Sequence, residues 1–180
     1  MNAKWIGVAL AAVVAAGCGK GRAIFDIDVY SFLSSAKADT LPYLGPLPPG
    51  VPDTIPVQTI NSLGIGTSSL VDTVRLTGTV SFVNATGTGN VTFQVYFDSV
   101  ATSVYSGTPA FGVTADVSPG ATTDSVFDIP NLPDALKPLF LASQVYVGIR
   151  ASATATSGTV QGTAKLTALR ARIVIQDKIF

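Results

Sequence analysis

The side chains that could do chemistry in this chain are few, and two types are missing altogether. Among its 180 residues there is no histidine, and all eleven acidic residues are aspartates. Without histidine, nucleophilic sites of the Ser-His-Asp or Cys-His kind cannot be built. Zinc sites of the His-Glu-x-x-His kind are excluded in the same way. Without glutamate, a calcium loop of the EF-hand type lacks its bidentate twelfth ligand. Asp39-Thr40, Asp53-Thr54 and Asp72-Thr73 are followed by Leu, Ile and Val, where an aspartic-protease loop needs glycine. Ser34-Ser35-Ala36-Lys37 has the Ser-x-x-Lys spacing that lets a lysine take a serine proton one helical turn away. Its usual partners, Ser-Asp-Asn and Lys-Thr-Gly, are missing, so a strand exit or helical turn is the expectation there. The chain is expected to be no enzyme and to hold no cofactor.

Three sets of polar residues remain as binding candidates. Asp26 and Asp28 alternate onto one strand face and could chelate calcium, given loop oxygens to complete about six to eight ligands. Tyr30, Tyr96 and Tyr146 fall at outward positions and could stack on a sugar, or could simply cover a sheet surface with their hydroxyls wet. The third set is basic. Residues 135–176 hold five basic side chains and no acid, whereas residues 18–134 hold four basic and ten acidic ones, so segments of charge +5 and −6 share one chain. Arg150, Lys165, Arg170 and Arg172, with Tyr146 beside them, form the candidate face for an anionic partner. The internal alternative is that Asp-rich strands lie alongside and Tyr146 covers Arg170 by a cation–π contact. The near-neutral total excludes wholesale nucleic-acid binding.

The elements that must position these residues read as β. Ala23–Phe32 alternates with period two, Phe25, Ile27 and Val29 on one face. Residues 41–56 hold six of the eleven prolines and read as a stiff extended connection. Val74, Leu76, Val80 and Phe82, then Val91, Phe93, Val95 and Phe97, form two apolar rows. The Asn84–Asn90 segment between them reads as a hairpin turn. Phe111–Val117 ends at a Ser118-Pro119-Gly120 turn, and a strand follows over 124–129. Three prolines in 130–143 allow at most one short helix, near 134–141. The last forty residues read as one hairpin turning at Ser157-Gly158. Its register sets Ile149 against Leu166 and Val147 against Ala168. The inward phase then flips, because Leu169, Ala171, Ile173 and Ile175 are the apolar row beyond. One extra residue, a β-bulge between Ala168 and Leu169, repairs the phase and pairs Tyr146 with Arg170 and Gln144 with Arg172. Seven to nine strands of this kind predict an all-β, two-sheet antiparallel sandwich, immunoglobulin-like or jelly-roll-like.

The first eighteen residues differ in kind. Lys4 precedes an apolar run, Ile6–Ala16, too short to span a bilayer. It leads into Ala16-Gly17-Cys18, which holds the only cysteine. This resembles the signal peptide and lipobox of bacterial lipoproteins, with Ala15 where leucine is usual. The resemblance implies cleavage before Cys18, a diacylglycerol thioether on it and N-acylation. Two or more such chains make a stable anchor. Gly19, where an aspartate would imply inner-membrane retention, implies the outer membrane. Residues 1–17 are then the signal peptide, 18–22 a lipidated tether and 23–180 one β domain without a disulfide. In such a protein the Asn84-Ala-Thr and Asn90-Val-Thr glycosylation patterns are chance matches. The expected function is a non-catalytic structural or binding accessory module of the cell envelope. Its expected partners are the membrane, through the lipid, and an anionic envelope component or protein. The first alternative is a glycan or calcium binder. The second is a small outer-membrane barrel, because the final Arg170–Phe180 stretch resembles a barrel assembly signal.

Overall fold

The structure is a computed structural model that describes residues 22–46, 53–61 and 69–177. Cys18, the whole leader, part of the proline-rich connection and the terminal Phe180 lie outside the described residues.

The apolar rows do form strands. These are β1 (Arg22–Asp28), β2 (Thr40–Gly45), β3 (Gln58–Asn61), β4 (Ser69–Asp98), β5 (Phe111–Val117), β6 (Thr122–Ile129) and β7 (Gln144–Asp177). Hydrogen bonds join all seven into one antiparallel sheet rather than two. β7 and β4 pair along almost their whole lengths, from Asp98 with Tyr146 to Ser69 with Asp177. β1, β2 and β3 follow one another down the free edge of β7, and β5 and β6 do the same along β4. The chain thus makes four long passes, and their order across the sheet is first, fourth, second, third. The ladder is open among the described residues, not the closed ring a barrel requires, and its inward rows are apolar.

Neither expected hairpin exists. β4 continues as strand through Asn84–Asn90, and β7 continues through Ser157-Gly158. The turn chemistry is nevertheless real. Gly87 and Gly158 take φ of +69° and +68°, open to glycine at little cost. They lie opposite each other, where the β4–β7 register slips. The Ser118–Ala121 turn joins β5 to β6 against the same place, with Gly120 N–H donating to Asn84 O at 2.9 Å. Positive-φ residues that look like chain reversals in the sequence instead bend three passes along one line.

The sheet doubles over at that line. Phe111 lies beside Val95 and Phe127 beside Gly78 in the ladders of β4. Seventeen residues of extended strand would hold these positions about 55 Å apart. Their partner rings, Phe111 and Phe127, sit with centroids 4.4 Å apart. Inward side chains of both halves therefore share one core, including Phe82, Phe93, Ile149 and Ile173.

Two further details differ from the sequence reading. β1 stops at Asp28, and Val29–Ser35 is an α-helix, α1. Asp28 caps it, Oδ1 accepting from Ser31 N at 3.3 Å, and Val29 and Leu33 turn inward at helical spacing. The expected short helix near 134–141 is a 3₁₀ turn over Lys137–Leu141. The phase flip in β7 is present. Leu166 and Leu169 are both fully buried, but the extra residue is Thr167, between partners Val80 and Thr79 of β4, and not one between Ala168 and Leu169.

Candidate functional site: a charged trough on the sheet

Alternation and register together build one polar site. Outward residues of β1, β7, β4 and β6 lie side by side in two rows. Asp26 is opposite Arg172, which is opposite Arg75. Asp28 is opposite Arg170, then Thr77, then Asp128. Asp26, Asp28, Arg75, Thr77, Arg170 and Arg172 line a polar depression of about 790 Å³.

Arg75 and Arg172 are like charges in direct opposition, which a sheet disfavours. The conflict is relieved sideways. Arg75 turns to β6 and holds Asp128 through both carboxylate oxygens, Nε to Oδ1 at 2.8 Å and the second bond through Nη2. That hydrogen bonding, and then the guanidinium charge, pulls the Asp128 carboxyl below its usual pKa. Among the described residues, Arg170 and Arg172 have no ion-pair partner within 4.0 Å. Two guanidinium groups thus stand in the trough with aspartates beside them but not bonded to them.

The expected five-residue basic face is divided by the fold. β7 passes through Ser157-Gly158 without a hairpin, so Tyr146 is the ladder partner neither of Arg170 nor of any other residue in β7's far half. It lies between Thr59 and Asp98, and its hydroxyl reaches Gln144 Oε1 at 3.5 Å. Gln144 likewise lies opposite Asn61, not Arg172. Arg150 and Tyr146 are on one half of the doubled sheet; Lys165, Arg170 and Arg172 are on the other. The inner faces meet, so the outer faces point apart. The cation–π contact does occur, but at Arg150, 5.6 Å from the ring centroids of both Tyr96 and Tyr105. Asp53 pairs with Arg150 Nε at 3.3 Å. Tyr96, read as outward and free to stack, is only 3% exposed, and Tyr30 sits on α1.

The remaining candidates are placed as follows. Asp26 and Asp28 face arginines, and no group of three or more metal-ligating side chains occurs among the described residues. Ser34 donates to Ser31 O at 3.3 Å, and Lys37 adopts φ of +55° just past the helix end. That pair is a helix terminus. Asn84 is 1% exposed, which closes its side chain to glycosylation in the folded protein. The sequence reading missed Arg75 and Asp128 as members of the site. Both alternate outward, but the pairing that unites them spans 53 residues.

No family model matches the sequence, and no curated protein is similar to it. Among solved structures the chain is similar to the infectious bursal disease virus Gx strain structure, at 12% identity and a TM-score of 0.41 over 93% of this chain and 38% of that one. It is similar to an aminopeptidase from a marine sediment Thaumarchaeota archaeon at 9% identity and 0.39, over 69% and 26% of the two chains. It is also similar to Eiger TNF from S. frugiperda, at 5% identity and 0.33 over 60% of each chain. In each case the chain spans less than two thirds of the other's length.

Proposed function

We propose that the chain is a lipid-anchored protein of the bacterial envelope, sorted to the outer membrane through Cys18, whose domain binds an anionic group on an envelope component and catalyses nothing. The observation that carries this reading is the pair Arg170 and Arg172, adjacent on one strand, outward and without an ion-pair partner among the described residues. Position favours it too. Arg172 lies beside Asp26, eight residues from Cys18, so the trough is within about 28 Å of an acylated cysteine. Phosphates of lipid headgroups or lipopolysaccharide are then within reach. The four-pass order supports a jelly-roll-like domain. Cut at the line of glycines, the passes give two four-stranded layers with the same strand order, as a two-sheet sandwich of that type has. A second reading, a structural accessory module, is favoured by Asp26 and Asp28, which compensate the arginines from within.

Two measurements test the proposal. Cells fed radioactive palmitate should label the parent protein and leave Cys18→Ala unlabelled. A labelled Cys18→Ala protein would refute the anchor. In the Cys18→Ala background, Arg170→Ser with Arg172→Ser should lower binding to phosphatidylglycerol vesicles about thirtyfold at low salt, at about 1 kcal/mol for each basic residue near an anionic surface. High salt should remove the difference. Equal salt-sensitive binding by parent and variant would leave the trough internally balanced, as the second reading requires.

A further inference from the structure

The inward row of β7 past the bulge is Leu169, Ala171, Ile173 and Ile175, each 3% exposed or less. It sets one alanine among branched side chains. The fold brings Val145 and Val147, from the other end of β7, to face that alanine, with Phe97 and Phe140 beside them. The space left over is a cavity of about 230 Å³. Burial distinguishes its floor from its mouth. Ala171, Ile173 and Val147 are at most 1% exposed, whereas Ile27, Phe32 and Ile60 are half-buried and Asn61 is exposed. Asn61 is the only polar side chain in the lining.

Protein cores seldom leave voids much larger than a water molecule. An apolar cavity of about 150 Å³ stays dry and takes up benzene. This one is larger, carries no charge, and opens past one carboxamide that can both donate and accept. We propose that it is a binding site for a short alkyl compound, whose chain lies against Ala171 and Val147 and whose uncharged polar end meets Asn61. Nothing in this depends on the charged trough, which lies on the outer face.

The test uses the full chain carrying Cys18→Ser, so that no acyl group is attached, with labelled isoleucine and valine methyl groups observed by NMR. 1-Octanol and benzene should each shift the Val147 and Ile173 methyl resonances and raise the unfolding temperature. Ala171→Leu, and the milder Ala171→Val if the first fails to fold, should weaken both ligands tenfold or more by filling the floor. Asn61→Ala should weaken octanol about fivefold, the loss of one hydrogen bond, and leave benzene unchanged. Silent Val147 and Ile173 methyls in the parent would overturn the site, as would undiminished binding in a folded Ala171 variant. An Asn61→Ala protein that binds octanol as the parent does would overturn the role given to the amide.

Discussion

Asn84→Leu is expected to cost the domain about 2–4 kcal/mol, a large part of the stability of an ordinary domain. Asn84 is buried at the line where the sheet doubles over, and it ties that line together. Its Nδ2 donates to Gly87 O at 2.8 Å, and its Oδ1 accepts from the Tyr43 hydroxyl at 3.3 Å. Its backbone N–H donates to Ala121 O, and its carbonyl accepts from Gly120, both at 2.9 Å. Gly162 of β7 lies directly opposite. One side chain and its backbone therefore touch all four passes. Leucine keeps the branched shape but is bulkier, cannot make the amide's hydrogen bonds and strands the buried Tyr43 hydroxyl. Chemical denaturation of parent and variant gives the number, and a loss below about 1 kcal/mol would show that the amide bonds are dispensable. Alkali offers a second handle on the same contact. Burial pushes the Tyr43 phenol up from 10.0 to about 12. The folded state keeps it neutral, so its contribution is complete below pH 10 and disappears as the pH rises through about 12. Tyr43→Phe should remove that part of the alkaline decline and leave acid stability alone.

Gly78→Val should be at least as damaging, at about 3 kcal/mol or more. Gly78 occupies an inward position in a row that otherwise reads Val74, Leu76, Val80 and Phe82. A Cβ there would overlap the Ala168 carbonyl and the Phe127 ring. The missing side chain is what admits Phe127, and Phe127 in turn reaches Phe111 on the opposite half. Valine would expel the ring that joins the two halves. Phe127→Ala alone should cost about 3–5 kcal/mol, as large buried truncations do. The double variant should cost less than the two single costs combined by at least 1 kcal/mol, because each change makes room for the other. Strictly additive costs would show that Phe127 does not occupy the place left by Gly78.

What the sequence made legible follows the range of each interaction. The inward rows of β4 and the phase flip near Thr167 are local, because period-two burial leaves its mark on neighbouring residues. The choice between reversing and passing through at Asn84–Asn90 or Ser157-Gly158 is not local. Glycine at positive φ serves either, and the partner strand decides. A hairpin in β7 would put Tyr146 beside Arg170 and the whole basic face on one surface rather than two. α1 was hidden for a related reason. Phe25, Ile27 and Val29 keep strand alternation up to the cap, and only Asp28 with Ser31 and the Val29–Leu33 spacing mark the change.

The dependence of every pass on β7 or β4 also sets when the molecule can form. Among the described residues β1, β2 and β3 find their ladder partners only in β7, and β4 finds there its longest one. The shortest loop that lets β4 and β7 meet joins Asp98 to Tyr146, 48 residues apart, and the far end joins Ser69 to Asp177 across 108. Pairings this remote fold on the millisecond-to-second scale of non-local β proteins. A chain growing from its N terminus can lay β5 and β6 on β4, but among the described residues β1, β2 and β3 gain their ladder partner only as β7 is made. Truncation within β7 should therefore act on the whole chain at once. For the proposed envelope protein, that dependence leaves the first pass unpaired and free to thread until β7 is made, which is the state in which an exported protein crosses a membrane.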